Sequence, residues 1–162
     1  MKRLKITQMK KLIIALFLIV GSVSMQAQDI YWETNLEAAT KVSLKTKKPL
    51  MLFFTGSDWC GWCIRLQKEV FKTPEFAAWA SKNVVLVELD FPRRTPQEEK
   101  IKIQNAEMQQ LFQVQGYPTV WFATPSKVKE KINLDKLGST GYVAGGTSAW
   151  IASAEPFTAK KK

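Results

Sequence analysis

Two residues, Cys60 and Cys63, carry the clearest chemical signal in the sequence. They stand three positions apart, which is one turn of a helix, so their sulfur atoms can form and break a disulfide without moving distant parts of the chain. A disulfide that stabilises a fold normally closes a long loop, and a bridge across two intervening residues constrains almost nothing. The spacing therefore favours redox chemistry over a structural role.

The elements around the cysteines place them where a strand gives way to a helix. A continuous apolar run at residues 50–55 predicts a buried strand, residues 56–58 a turn, and residues 64–71 a helix. Cys60 then falls at the helix N-terminus, where unpaired N–H groups and the helix dipole favour a thiolate. We expect Cys60 to be the attacking thiolate and Cys63, one turn further in and shielded, to be the resolving thiol.

Composition excludes several other kinds of site. The 162 residues include no histidine, which excludes Ser-His-Asp and Cys-His catalysis and histidine-ligated metals. Two cysteines cannot form a four-cysteine zinc site within one chain. We therefore expect no metal and no bound cofactor. A dimer that pools four thiolates around zinc or an iron–sulfur cluster is a remaining alternative.

The N-terminus has the three parts of a secretory signal peptide. Residues 1–11 hold five Lys and Arg and no acid, residues 12–20 are all apolar, and residues 21–27 are mostly small or polar. We predict a signal peptide at residues 1–27, with cleavage after Ala27 or Ser24, and one domain at residues 28–162. The apolar run is too short to span a bilayer. A short uncleaved anchor is the competing interpretation.

The positive charge of the chain lies largely at its two ends. Of 24 Lys and Arg, five belong to the predicted signal, and removing them leaves 19 bases against 14 acids. Three more form the C-terminal run Lys160–Lys162, which we interpret as a solvated tail. This distribution does not indicate nucleic-acid binding, and it leaves the signal peptide as the predicted membrane contact.

Further along the chain, helical and strand patterns alternate. Helices are predicted at residues 35–45, 64–71, 73–82, 98–112 and 147–154, and strands at residues 50–55, 84–90, 119–123 and 131–137, with a turn at residues 124–126. This order predicts an α/β fold with a mixed central sheet flanked by helices on both faces.

Over about residues 32–154 the sequence resembles the thioredoxin superfamily, and in particular exported single-domain thioredoxin-like proteins. The resemblance is carried by the apolar strand at residues 50–54, the motif at residues 59–63 and Gly116-Tyr117-Pro118-Thr119. It implies a thioredoxin fold in which Pro118 follows a cis peptide bond and packs beside the cysteines. A two-cysteine motif alone would be a weak signal, but two motifs in the right order are a strong one.

The resemblance also implies a substrate-binding groove beside Cys60. We predict that it includes Trp62, exposed next to the cysteine, and Tyr117 and Pro118, where the family's backbone pairs with a substrate strand. A shielding role in the core is the alternative for Trp62, and packing is the favoured role for Trp59.

Two departures from thioredoxin concern proton transfer and redox direction. Thioredoxins carry a buried Asp six residues before the first cysteine, where this chain has Phe54. Glu88 on the next predicted strand is the candidate replacement, and an exposed strand-end carboxylate is the alternative. The residues between the cysteines, Gly61 and Trp62, lack the histidine of strong oxidants and isomerases, so we expect a low, reductant-like potential.

Together these features predict an exported thiol–disulfide oxidoreductase, periplasmic or secreted, that acts as reductase or isomerase on disulfides of exported proteins. It would draw electrons from an upstream redox partner. The alternative is a thioredoxin-fold chaperone or peptide-binding module whose thiols are incidental.

Overall fold

The computed structural model describes residues 30–128 and 131–158, so the predicted signal peptide lies outside the described residues. The helices are α1 (Leu36–Thr46), α2 (Gly61–Leu66), α3 (Pro74–Asn83), α4 (Glu99–Leu111) and α5 (Gly146–Ala154). The strands are β1 (Leu50–Thr55), β2 (Val85–Asp90), β3 (Thr119–Val128) and β4 (Lys131–Thr140). Helix α2 continues directly into a π-helical turn, Gln67–Phe71, and a short 3-10 turn, Glu155–Phe157, follows α5.

The four strands form one mixed sheet in the order β2-β1-β3-β4. Strand β1 pairs parallel with β2 and antiparallel with β3, and β3 pairs antiparallel with β4. Every residue of β1 is buried, as its unbroken apolar run predicts. The carboxyl end of this central strand leads directly into the two-cysteine motif.

The sheet separates two apolar cores because side chains alternate along β1. Met51 and Phe53 face one core, and Leu50, Leu52 and Phe54 face the other. The first, called here the cysteine-side core, contains Cys60, Cys63, Phe71, Phe76 and Trp150. The opposite core includes Ala39 of α1, Val87, Leu89 and Phe112. The predicted mixed sheet with helices on both faces is confirmed.

Helix starts follow the predicted capping residues. The side chain of Asn35 accepts a hydrogen bond from the N–H of Ala38 and begins α1. Thr73 accepts from the N–H of Phe76, and Pro74 occupies the first helical position of α3. Within residues 30–128 and 131–158, no helix is both long and apolar enough to cross a bilayer.

The turn predicted at Thr124-Pro125-Ser126 is wrong. Strand β3 runs through these residues to Val128 and stays paired with β4, with a register shift between Phe122 and Ala123. Pairing of β3 with β1 ends at Ala123. Beyond that point β3 has a neighbour on one side only, so a proline without an N–H group is tolerated within the strand.

Candidate active site

Cys60 and Cys63 are joined by a disulfide at the start of α2. The S–S distance is 2.06 Å and the Cα atoms are 5.2 Å apart. Cys60 is the N-cap residue, and its Sγ accepts a hydrogen bond from the N–H of Cys63 at 3.2 Å. The sulfur of Cys60 thus occupies the place where a capping oxygen usually satisfies an unpaired N–H at a helix start.

The two cysteines differ slightly in burial. Cys63 is completely buried, whereas Cys60 keeps 6% of its surface exposed. Of the two residues, Cys60 therefore lies nearer to solvent.

Gly56 sets the turn between β1 and the cysteines. Its carbonyl accepts hydrogen bonds from the N–H groups of Trp59, at 3.2 Å, and Cys60, at 2.8 Å. A Cβ atom at this position would overlap the indole ring of Trp59. A glycine here therefore allows the ring to lie against the turn and hold it in place.

Two carboxylates fasten this turn to the loop after β2. Asp58 accepts hydrogen bonds from the backbone N–H groups of Arg93, at 3.0 Å, Arg94, at 2.7 Å, and Thr95, at 2.9 Å. The bond from Arg93 is the main cause that lowers the pKa of Asp58 to about 2. Asp90 accepts from both the N–H and the hydroxyl of Ser57. None of these contacts was predicted from the sequence, since they depend on how two distant loops meet.

Trp59 is half-buried and held on several sides. Its indole N–H donates to the carbonyl of Phe91 at 2.7 Å, and the Arg93 guanidinium lies 3.8 Å from its ring centroid. The ring of Tyr117 meets it edge to face at 5.6 Å. These contacts agree with the packing role favoured for Trp59. We call Trp59, Asp58, Arg93 and Tyr117 the Trp59 unit.

Pro118 follows a cis peptide bond, and β-sheet register places it near the cysteine motif. Thr119 pairs with Phe54, so Pro118 lies beside the end of β1, where the cysteine turn begins. Tyr117 packs against Phe91 at 5.3 Å and its hydroxyl accepts from Gln109. Burial raises the pKa of Tyr117, partly offset by that hydrogen bond. Its side chain is thus engaged in packing, which leaves its backbone for the predicted substrate contact.

Trp62 is 55% exposed. Its ring lies 5.0 Å from that of Tyr142, and the Arg65 guanidinium lies 5.3 Å from Trp62 and 5.2 Å from Tyr142. Glu69 accepts from the Tyr142 hydroxyl at 2.6 Å and from Arg65 Nε at 2.8 Å. We call Trp62, Arg65, Glu69 and Tyr142 the Trp62 unit.

The hydrogen bonds of the Trp62 unit favour a charged Glu69 carboxylate and a neutral Tyr142 hydroxyl. The Tyr142 hydroxyl, and next Arg65, lower the pKa of Glu69, while the bond to Glu69 raises that of Tyr142. Sequence reasoning missed Tyr142, which lies in a glycine-marked loop. Its one signal was an aromatic residue directly after Gly141 in such a loop.

Glu88 occupies the middle of β2 and is half-buried. It pairs with Phe53, so it faces the cysteine-side core and lines a cavity of about 420 Å³ with Trp32 and Phe71. Burial, with a smaller effect of Asp90, raises its pKa. The alternative of an exposed strand-end carboxylate is therefore wrong. Phe54 faces the opposite core.

No set of three or more Cys, Asp or Glu side chains within the described ranges is arranged to hold a metal ion.

Comparisons with known proteins show the family to which the chain belongs. The sequence profile of a family described as thioredoxin-like matches residues 31–125. The chain belongs to the thioredoxin-like family. It is 33% identical to the disulfide bond reductase DsbH of Chlamydia pneumoniae over 126 residues, which are 78% of this chain and 71% of that protein.

Further relatives support the same fold. The thioredoxin-related protein DsbJ of Chlamydia pneumoniae is 28% identical over 145 residues, 90% of this chain but only 40% of that longer protein. A solved DsbH oxidoreductase structure superposes with a TM-score of 0.74 and 30% identity, covering 86% of this chain and 92% of that one. A thioredoxin from Thermus thermophilus gives 0.57 at 15% identity, covering 79% of this chain and 86% of that one.

These relatives and the bonded Cys60–Cys63 pair identify the protein as a thiol–disulfide oxidoreductase with a thioredoxin fold. The predicted superfamily, fold and enzyme class are confirmed.

Proposed function

We propose that the protein reduces or isomerises disulfides of exported proteins, with Cys60 as nucleophile and Cys63 as resolving thiol. The observation that carries this assignment of roles is the asymmetry of the pair. Cys60 is the N-cap residue and keeps 6% of its surface exposed, whereas Cys63 is completely buried. A sulfur at a helix N-terminus is suited to attack, and a more deeply buried neighbour is suited to release the product.

The reaction is balanced by two electrons from the dithiol. The Cys60 thiolate attacks one sulfur of a substrate disulfide, the S–S bond breaks, the other substrate sulfur leaves as a thiolate, and a mixed disulfide forms. Cys63 then loses its proton and attacks the Cys60 sulfur, so that the second substrate thiolate leaves and takes up a proton. The protein ends with the bridge seen here and needs two electrons from an upstream dithiol partner to act again.

Variants of each cysteine test the roles separately. Cys60→Ser should abolish reduction of insulin, because the attacking sulfur is lost. Cys63→Ser should accumulate mixed disulfides with substrate that dithiothreitol releases, because attack occurs but resolution does not. Retained insulin reduction by Cys60→Ser would overturn the assignment. Full complementation in cells by the double Cys→Ser variant would favour the peptide-binding alternative instead.

The direction of the reaction is proposed to be reductive. Neither residue between the cysteines is a histidine, so no side-chain cation lies within the motif to favour the thiolate over the disulfide. The similarity to a protein named as a disulfide bond reductase supports the same direction. Equilibration with glutathione should give a potential of about −270 mV, as in thioredoxin, and a value of about −120 mV would contradict it.

Glu88 is proposed as the group that accepts the Cys63 proton. It faces the cysteine-side core, and burial raises its pKa, which favours the protonated carboxyl group. Glu88→Gln keeps the shape but cannot take up a proton. It should slow the resolving step and change the pH profile of insulin reduction without changing the redox potential. An unchanged pH profile would exclude this role.

Substrate polypeptide is proposed to bind across Cys60 between Trp62 and the backbone of Tyr117 and Pro118. The exposed ring of Trp62 and the position of Pro118 beside the end of β1 support this groove. Main-chain hydrogen bonds to residues 117 and 118 would align the substrate as a short added strand.

Export is proposed to depend on residues 1–27. Expression in a bacterium with an outer membrane should place the full-length protein in the periplasm, and a variant that starts at residue 28 should stay in the cytoplasm. Mass spectrometry of the periplasmic form distinguishes cleavage after Ala27 from cleavage after Ser24. A protein retained in the membrane fraction at full mass would favour the uncleaved anchor.

A further inference from the structure

The Trp62 unit combines exposure with immobility. A tryptophan that is more than half exposed usually keeps its rotamer freedom, but this ring is covered on one side by Tyr142 and Arg65. Tyr142 and Arg65 are in turn both bonded to Glu69. A surface whose side chains are already fixed loses little conformational entropy when it binds a partner.

The unit lies beside the start of α2, where Cys60 is the N-cap residue. Trp62 is two residues from Cys60 on the same helix start. Gly141, which precedes Tyr142, lies against Pro118, since a Cβ atom added at Gly141 would be 3.3 Å from the Pro118 carbonyl oxygen. The indole N–H of Trp150 donates to the carbonyl of Gly141 and anchors the loop to the core. The two rings are therefore held on one flank of Cys60 and Pro118.

The chemistry of the unit favours an uncharged planar side chain. Arg65 is paired with Glu69, so its charge is already matched within the unit. What remains exposed is mainly ring surface and the plane of a guanidinium group, which stack well on aromatic side chains.

We propose that Trp62, Arg65 and Tyr142 form a subsite for an aromatic side chain next to the substrate's cysteine, with Glu69 as the positioning residue that holds Tyr142 and Arg65 in place. This inference rests on the proposed function and names the substrate class that the same site selects. It predicts a preference among disulfides rather than a change in the redox couple.

The test uses three peptides that contain one disulfide and differ only in the residue after the first cysteine, which is Phe, Ser or Glu. The kcat/KM for reduction by the reduced full-length protein is divided by the rate with dithiothreitol, which removes differences in the intrinsic reactivity of the peptides. Wild type should favour the Phe peptide over the Ser peptide by about fivefold, as expected for one aromatic contact.

Two variants of Tyr142 separate the ring from the hydroxyl. Tyr142→Ala should bring the ratio of Phe to Ser close to one, because kcat/KM falls more for the Phe peptide than for the Ser peptide. Tyr142→Phe keeps the ring but loses the bond to Glu69, so it should give an intermediate ratio. The control is Ile103→Ala, an exposed residue of α4 outside the site, which should match wild type. The redox potential should be equal in all four proteins.

Several results would overturn the subsite. These are a wild-type ratio near one, a ratio unchanged in Tyr142→Ala, an equal loss on all three peptides in that variant, or a preference for the Glu peptide, which would assign recognition to the Arg65 charge. A wild type that reduces all peptides equally refutes the subsite alone. A wild type that reduces none of them refutes the proposed function and the subsite with it.

Discussion

Two units of the same residue types flank Cys60, and they are held in different ways. Each contains one Trp, one Arg, one acid and one Tyr. In the Trp59 unit, Asp58 binds three backbone N–H groups and the Trp59 indole binds a backbone carbonyl. In the Trp62 unit, every hydrogen bond and ring contact described above joins one side chain to another.

The difference separates a unit that supports the cysteine turn from the unit that forms the proposed subsite. A backbone partner has no side-chain rotamers to lose and is fixed by its own secondary structure, so bonds to it transmit rigidity to the turn. Side-chain partners can be exchanged without disturbing the fold. The Trp59 unit therefore holds the cysteine turn in place, and the proposed subsite belongs to the Trp62 unit.

Removing each tryptophan should give the largest contrast. Trp59→Ala should lower the free energy of unfolding by about 3 kcal/mol, because a packed ring and its hydrogen bond are lost. Trp62→Ala should lower it by less than about 0.5 kcal/mol, as is usual for surface substitutions. Urea unfolding of both oxidised variants measures the difference. Equal losses would show that both units support the fold.

The glycines next to the two tryptophans offer a second contrast. Gly56→Ala places a methyl group against the Trp59 ring and should cost about 1–3 kcal/mol of stability. At Gly61, the first residue of α2, an added Cβ meets no atom within 4 Å. Gly61→Ala should stabilise the protein by up to about 1 kcal/mol by restricting the unfolded chain. A neutral Gly56→Ala would mean that the turn adjusts freely around Trp59.

Local signals were sufficient for most of the fold. The unbroken apolar run of β1, the capping side chain of Asn35 and the Thr73-Pro74 start of α3 each act within a few residues, and each prediction was confirmed. We expected a turn at Pro125 because proline usually interrupts a strand, and this prediction was wrong. Whether it does so here depends on which neighbours β3 has at that position, which is a property of the sheet.

Only those features of the site that depend on residues close together in the chain were predictable. Cys60 at a helix start depends on local sequence, and the structure places it there. Asp58, by contrast, meets N–H groups 35 to 37 residues away, and Glu69 meets Tyr142 at a separation of 73 residues. A single sequence contains no signal for such contacts, since they arise from the packing of loops at the end of the sheet.

Acid should weaken the Trp59 unit within a defined pH range. Hydrogen bonds lower the folded-state pKa of Asp58 to about 2, below its usual 3.8. The stabilisation is therefore complete above about pH 4 and is lost as the pH falls toward about 2. The difference in unfolding free energy between wild type and Asp58→Asn should shrink over this range, with Glu69→Gln as the comparison in the other unit. A difference that is constant from pH 5 to pH 2 would contradict the assignment.

Replacing each arginine by lysine should give the smallest effects and the finest distinction between the units. Lysine keeps the positive charge but lacks the planar group that covers an aromatic ring. Arg93→Lys leaves the backbone N–H bond to Asp58 in place but removes the guanidinium that lies 3.8 Å from the Trp59 ring centroid, so the urea midpoint should fall slightly while the choice among peptides stays unchanged. Arg65→Lys should leave the midpoint unchanged, yet reduce the preference for the Phe peptide by about twofold, because the guanidinium that contacts both Trp62 and Tyr142 is gone. A shift in preference with Arg93→Lys and none with Arg65→Lys would reverse the roles assigned to the two units.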